Sequence, residues 1–332
     1  MISLVVPIFN EALVLDTLFE RIRSASKEWG MDFEVIMVDD GSRDDSLKIM
    51  EELNKKDPRF KGVSLSRNFG HQVAVTAGLK HVNGRVVAIM DADLQDPPEI
   101  LTKFIAKWRE GYDVIYAVRA NRKENIFIKA AFWCFYRIMA WLSELQIPLD
   151  AGDFCVMDRR VVDVLNDMPE RNRYVRGLRA WAGFRQTGLS YDRPSRLAGD
   201  VSFSLHHRIK FAFDGIISFS YKPLRFFGLF GLIVAVSGFL GIALFVVSKI
   251  FTISITPYTF GQIPGFFPII SAIVFLGGVQ LIGLGLFGEY IGRIYDEVKK
   301  RPPYIVGKTI GLDQNNEDES RSPTQKIEKF DI

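Results

Sequence analysis

Two carboxylates, Asp91 and Asp93, stand one residue apart directly after the apolar run Arg85-Val86-Val87-Ala88-Ile89-Met90. That run is β-rich and long enough to lie inside a sheet. In an extended chain residues i and i+2 point the same way, so both carboxylates can address one divalent ion at the carboxyl end of the strand. Mg2+ keeps one or two protein carboxylates and takes its remaining ligands from water and substrate phosphates, so such a pair suits a phosphorylated ligand. Taken alone, an Asp-x-Asp segment is also an ordinary acidic turn after a strand. Its neighbours along the chain decide between the two.

Ile2-Ser3-Leu4-Val5-Val6-Pro7-Ile8-Phe9-Asn10-Glu11 reads as a strand running into a polar turn, and residues 12–29 follow with helical spacing of Leu13, Leu18, Ile22 and Ala25. Phe33-Glu34-Val35-Ile36-Met37-Val38 is a second strand, closed by Asp39-Asp40-Gly41-Ser42, with a helix expected over 44–53. Gly62-Val63-Ser64-Leu65 is a third, ending at Ser66-Arg67-Asn68-Phe69-Gly70, and a helix over 72–81 leads to the strand before Asp91. Strands alternating with helices predict an α/β fold with a doubly wound, mostly parallel sheet, which binds ligands beyond the carboxyl ends of its strands. Residues 7–11, Asp40, Asp91 and Asp93 all fall at that edge.

In this order and spacing, Pro7-Ile8-Phe9-Asn10-Glu11, Val38-Asp39-Asp40-Gly41-Ser42, Asn68-Phe69-Gly70 and Asp91-Ala92-Asp93-Leu94-Gln95-Asp96-Pro97-Pro98 resemble the GT-A glycosyltransferases of family 2. More narrowly, they resemble the polyprenyl-phosphate glycosyltransferases: dolichol-phosphate mannose synthases, GtrB-type bactoprenol glucosyltransferases and ArnC. Gly152-Asp153-Phe154, Arg196-Leu197-Ala198-Gly199-Asp200 and Leu286-Phe287-Gly288-Glu289-Tyr290-Ile291-Gly292-Arg293 extend the likeness over nearly the whole chain. The resemblance implies a cytoplasmic GT-A domain over 1–205 that moves a sugar, with inversion, from a nucleotide sugar to a polyprenyl phosphate. Residues 168–177 and 196–200 stand closer to the GtrB-type enzymes, which favours UDP-glucose and undecaprenyl phosphate and a supply of lipid-linked sugar for cell-envelope or lipopolysaccharide modification. A mannose, aminoarabinose or N-acetylhexosamine donor is the alternative.

The same resemblance assigns residues. Pro7, Phe9, Glu11, Val38 and Asp40 match positions around the base and ribose, and Asp91, Ala92, Asp93, Gln95 and Arg119 complete the donor site. Asp91 and Asp93 would hold Mg2+ or Mn2+ against the leaving diphosphate. Arg119 and Arg196 match positions that contact the phosphates of donor and acceptor, with Arg122, Lys129 and Arg193 as further candidates for the acceptor phosphate. Asp153 matches a base or an organiser of the acceptor site, so Asp93, Asp153 and Arg196 form the expected catalytic set. A phosphate acceptor has a second pKa of about 6 and is largely ionised at neutral pH, so it needs positioning more than deprotonation. In one respect the chain departs from its group: many members carry Lys two or three residues after the acidic position of Arg-x-x-Gly-Asp/Glu, whereas Val201-Ser202-Phe203 has none.

Composition points to lipid independently. Of 332 residues 48% are hydrophobic, and a mean hydropathy of +0.10 is high for a purely soluble α/β enzyme. The excess lies in two uncharged, mainly apolar stretches, 226–248 and 266–288, each long enough for a bilayer core. Gly277, Gly278, Gly283 and Gly285 suit close helix packing in lipid. Arg208, Lys210, Lys222 and Arg225 precede the first stretch and Arg293, Lys299, Lys300 and Arg301 follow the second, while only Lys249 lies between. That pattern places both ends in the cytoplasm, and the resemblance implies a multi-pass protein of a bacterial inner membrane. The expected order is therefore the catalytic domain, a juxtamembrane amphipathic helix over 206–222, a two-helix membrane domain over 223–292, and a cytoplasmic tail over 293–332, disordered from about 312. Residues 126–145 read as a helix at the membrane interface or packed on the catalytic domain.

Residues 1–9 are too short for a cleavable signal, and Cys134 and Cys155 too few for a disulfide framework. A net charge of +3 argues no nucleic-acid partner, and the basic flanks fit anionic head groups. A homo-oligomer is expected. Two other classes compete. A processive polysaccharide synthase shares the Asp motifs but normally carries Gln-x-x-Arg-Trp and more spans, which this chain does not. A silent membrane scaffold that binds nucleotide sugar would have no need of Asp40, Asp91, Asp93, Asp153 and Arg196 together.

Overall fold

The computed structural model describes residues 1–119, 151–171, 173–191, 222–250 and 266–312, which fall into two units. The first is built on one sheet. β1 (Ile2–Ile8), β2 (Phe33–Asp39), β3 (Phe60–Leu65) and β4 (Val86–Ile89) run parallel, β1 lying between β2 and β4. β6 (Ala151–Asp158) joins β4 antiparallel, β5 (Val114–Arg119) joins β6 antiparallel, and β7 (Gln186–Tyr191) closes that edge parallel to β5. β8 (Val306–Ile310) closes the other edge antiparallel to β3, giving the order β7-β5-β6-β4-β1-β2-β3-β8. Four of the seven pairings are parallel, as the alternation of strands and helices predicts.

Every residue of β1, β2 and β4 is buried, and helices cover both faces of this part of the sheet. On one face Ile2, Leu4, Val6 and Ile8 pack in a single core with Leu15, Leu18, Phe19 and Ile22 of α1 (Ala12–Ala25), Met50 and Leu53 of α2 (Ser46–Lys56), and Leu101 and Phe104 of α4 (Leu101–Arg109). On the other face Val5 and Val38 meet α3 (His71–Leu79), where a Cβ on Gly78 would overlap the Val5 side chain. The alternation along β1 thus assigns its side chains to the two layers. Each fully buried Leu, Ile or Phe contributes about 1.5–3 kcal/mol of transfer free energy. α5 (Arg159–Asp167) and α6 (Val175–Trp181) follow β6.

The expected tail is corrected here: Val306–Ile310 is not a tail but the edge strand β8, held by register pairs such as Val63 with Thr309 and Ser64 with Lys308. Residues 313–332, the expected helices over 126–145 and 206–221, and Cys134 lie outside the described residues.

The second unit consists of α7 (Lys222–Ile250) and α8 (Phe266–Val298), about 43 and 50 Å long at 1.5 Å per residue. Within α8, Phe275–Val298 is the one stretch among the described residues long and apolar enough to cross a bilayer. Of the glycines expected at a helix interface, Gly283 alone meets the other helix, its missing Cβ leaving room for the Phe227 ring; Gly277, Gly278 and Gly285 face nothing within 4 Å.

Candidate active site

Two loops at the carboxyl ends of β1 and β2 are stapled into one rim. Pro7 stands in register with Val38, both buried, and lies past the end of the β4 ladder at Val5, so its missing N–H breaks no bond on that side. Beyond it Phe9 is exposed, and Asn10 takes φ 57°, a left-handed conformation that Asn tolerates better than most residues. The Asn10 N–H donates to Ser42 Oγ at 3.0 Å while Asn10 Oδ1 accepts the Arg43 N–H at 2.8 Å. The N–H groups of Glu11 and Ala12, at the start of α1, donate to Ser46 Oγ and Asp44 Oδ2, both at 3.1 Å. At roughly 1 kcal/mol net for each bond, the rim is a preformed surface.

The aspartates after β2 are turned inward. Asp39 accepts from the Ser42 N–H at 2.9 Å and from Ser64 Oγ at 2.7 Å. Asp40, 3% exposed, accepts the N–H of Phe69 at 2.7 Å on one oxygen and that of Gly70 at 2.9 Å on the other. Burial drives the Asp40 pKa up, the two amide bonds oppose this, and the neighbouring charge of Asp39 adds to it, leaving it above the usual carboxylate value. Gly41, at φ 70°, lies so close to the next loop that a Cβ would stand 2.5 Å from the Arg67 carbonyl carbon. Asp40 therefore holds the 68–70 loop in place beneath the rim.

The Asp91–Asp93 pair differs from expectation in its backbone. The chain does not stay extended after β4: Ala92 and Asp93 form a turn and Leu94 has φ 60°, so the two carboxylates are placed by a turn and not by strand alternation. A left-handed leucine costs about 1 kcal/mol or more, offset here by burial of its side chain. Asp93 Oδ1 accepts the Gln95 N–H at 3.1 Å, Ala92 is buried, and Asp96 accepts from Tyr191 Oη of β7 at 2.6 Å, anchoring the far end of the turn. Asp91 Oδ1 lies 2.9 Å from Nε2 of His71, the first residue of α3. Burial pulls the imidazole pKa down, but the contact with Asp91 and the charges of Asp91, Asp153 and Asp40 outweigh it and raise it above its ordinary value.

Asp153 reaches the same edge from β6. Its Oδ1 accepts from Arg176, 3.2 Å from Nη2 and 3.3 Å from Nε, and its Oδ2 accepts from Gln72 Nε2 at 3.2 Å. Gln72 Oε1 in turn accepts the Val175 N–H at 2.9 Å. The first two residues of α3 thus connect the Asp91 turn, Asp153 and the start of α6. His71 and Gln72 carry no mark in the sequence beyond their position directly after Asn68-Phe69-Gly70, and Arg176 none beyond its place in the GtrB-like stretch 168–177. Arg119 ends β5, in register with Tyr191. Arg122, Lys129, Arg193 and Arg196 lie outside the described residues.

No group of three or more His, Cys, Asp or Glu side chains among the described residues forms a metal cage by itself. Two half-exposed carboxylates fit Mg2+ or Mn2+ only where substrate phosphates supply further oxygens, which is the pattern of a nucleotide-diphosphate site. Asp39, Asp40, Asp91, Asp93 and Asp153 against His71 and Arg176 give the described part of the site an acidic balance that such a cation would neutralise.

Known proteins resemble the chain over nearly its full length. The family described as Glycosyl transferase family 2 matches residues 3–165, the stretch that carries β1 to β6 and the acidic residues Asp39, Asp40, Asp91, Asp93 and Asp153. An uncharacterized glycosyltransferase of Bacillus subtilis (strain 168), YkcC, is 43% identical over 312 residues, 94% of each chain. A prophage bactoprenol glucosyl transferase homolog of Escherichia coli (strain K12) is 38% identical over 308 residues, 92% of this chain and 98% of its own. The bactoprenol glucosyl transferase of Shigella phage SfII is 38% identical over 311 residues, 93% and 98% of the two chains. With identities of this size along nearly the full length, on a GT-A-like α/β sheet, the chain is a glycosyltransferase and belongs to glycosyl transferase family 2.

Proposed function

We propose that the enzyme moves glucose from UDP-glucose to undecaprenyl phosphate, with inversion, at the cytoplasmic face of a bacterial inner membrane. The observation that carries this reading is the identity of 38% to proteins named bactoprenol glucosyl transferase, which runs through the helical unit as well as the sheet. In this reading α7 and α8 both cross the bilayer, which their length and outward apolar residues support.

The rim of Pro7, Phe9, Glu11 and Val38, with Asp40 beneath it, would take the base and ribose, and Ala92, Gln95 and Arg119 would flank the phosphates. Asp91 and Asp93 would hold Mg2+ or Mn2+, which when bound neutralises charge on the leaving diphosphate. His71 holds one oxygen of Asp91 at 2.9 Å and so fixes the direction in which the carboxylate faces a ligand. Arg119, Arg122, Lys129 and Arg196 would receive the acceptor phosphate, an anion that attacks the anomeric carbon without first losing a proton. Asp153 has both oxygens engaged, one by Arg176 and one by Gln72, which suits an organiser of cations better than a base. Catalysis then rests on positioning and charge neutralisation.

Membranes containing the enzyme, incubated with a panel of radiolabelled nucleotide sugars, should label a lipid only from UDP-glucose, and mild acid should release the sugar. Labelling from a mannose, aminoarabinose or N-acetylhexosamine donor in its place would overturn the choice of sugar. Absence of lipid label from every donor would overturn the acceptor.

A further inference from the structure

We propose that Gln72 is a positioning residue for the transfer reaction, holding the Asp153–Arg176 pair in register with the Asp91 turn; this rests on the catalytic reading of Asp153 given above. Gln72 is a neutral amide placed between three groups that differ in what they need. The Val175 N–H requires an acceptor and lies 2.9 Å from Oε1; the Asp153 carboxylate requires a donor and lies 3.2 Å from Nε2. These two demands fix the orientation of the amide, because the flipped form would set a donor against an N–H and an acceptor against a carboxylate. The remaining neighbour, His71 Nδ1, stands 3.4 Å from Nε2, and the other ring nitrogen of His71 meets Asp91.

The consequence is mechanical. Arg176 grips one oxygen of Asp153, and Gln72 grips the other. With Arg176 alone, the carboxylate could rotate about its own axis and follow the guanidinium; a second, uncharged donor on the opposite oxygen stops that rotation without cancelling the charge that Arg176 needs. The platform under Gln72 is rigid: Ala74, Val75, Ala77 and Leu79 of α3 are buried, and Thr76 Oγ1 ties back to the Gln72 carbonyl at 2.8 Å. Side chains seated on such elements keep a reacting geometry within the tolerance that catalysis requires.

The test uses the full chain in detergent with undecaprenyl phosphate and radiolabelled UDP-glucose. Gln72→Glu keeps the acceptor for Val175 and removes the donor to Asp153; Gln72→Leu removes both. For Gln72→Glu, which sets a carboxylate against Asp153, we expect kcat to fall about 10- to 100-fold with the donor KM within about twofold, the retained donor binding showing that the variant is folded. The double variant Gln72→Leu with Asp153→Asn should be no slower than Asp153→Asn alone, since a residue acting through Asp153 has nothing left to position. Parental kcat in Gln72→Glu, or effects of Gln72→Leu and Asp153→Asn that multiply, would overturn the proposal while leaving the role of Asp153 intact. Parental kcat in Asp153→Asn would overturn the reading of Asp153 itself, and the role of Gln72 with it.

Discussion

The two units hide opposite surfaces. In the sheet unit Ile2, Leu4, Ile36 and Val63 are fully buried, whereas Leu281, Ile282 and Leu284 of α8 are 70%, 69% and 66% exposed. The same kinds of side chain are sorted differently because the solvents differ. Water drives the first set inward, and under the proposed membrane reading hydrocarbon leaves the second set free to face out. Stability follows the same division. The sheet unit rests on apolar burial and buried ion pairs, while α7 and α8 depend on close contact, as at Gly283 against Phe227. Among the described residues, Asp40, Asp91, Asp93 and Asp153 all belong to the sheet unit.

The largest effect that would sharpen this division is chemical. Asp93→Asn should slow transfer by about 1,000-fold or more, the loss of several kcal/mol of metal-assisted stabilisation, while the chain stays in the membrane fraction. Full activity of this variant in EDTA would break the assignment. Next comes Leu281→Arg, whose charge inside the span should cost about 3 kcal/mol of insertion. Alkaline extraction should release more of it, and nucleotide binding by the sheet unit should be unchanged; undiminished retention would place Leu281 outside the bilayer.

A smaller effect belongs to the sheet alone. Glu34, 3% exposed, accepts from Ser3 Oγ at 2.6 Å, the Asn83 N–H at 2.7 Å and Lys61 Nζ at 2.8 Å. Burial pushes its pKa up, but these bonds together outweigh burial and hold it below the usual value of 4.5. Its stabilisation is therefore complete above about pH 4.5 and is lost as the pH falls through the lowered folded-state value. Glu34→Gln should destabilise the sheet unit by about 2 kcal/mol at neutral pH, and the gap to the parent should close in acid. Denaturant titrations at several pH values would show it; a gap independent of pH would remove the ionised carboxylate from the account. Smallest of all, Gly283→Ala should weaken the α7–α8 contact by about 1 kcal/mol, since the Phe227 ring can partly move aside. Thermal unfolding in detergent would report it, with no change in donor KM.

The parallel half of the sheet was legible because buried parallel strands read as unbroken apolar runs, as in Leu4-Val5-Val6 and Val35-Ile36-Met37-Val38. The other half was not. β6 pairs antiparallel on both sides and contains Gly152 and Asp153, and β7 is a polar edge strand, so neither shows a run that separates it from a loop. β8, with Gly307 and Lys308 after the long helix α8, looks like the start of a tail until β3 is there to pair with it. In the site, Asp40 and the Asp91–Asp93 pair were visible because each follows its own strand, whereas Asp153, inside β6, was marked only by the resemblance. His71, Gln72 and Arg176 were not visible, because their partners Asp91 and Asp153 lie 20, 81 and 23 residues away along the chain. The turn at Leu94 was hidden as well, since a leucine gives no local sign of a left-handed conformation.

In the proposed reaction the acidic edge of the sheet serves an acceptor that is already an anion. The most direct measurement is transfer by the purified full chain, in bilayer discs with Mg2+ and radiolabelled UDP-glucose, to undecaprenyl phosphate and to undecaprenol side by side. Labelled lipid is expected with the phosphate alone, at a rate that stays nearly flat from about pH 7 to 9, where the phosphate is largely ionised. Equal or faster labelling of the alcohol, with a rate climbing tenfold per pH unit, would contradict this reading and make Asp153 a required base.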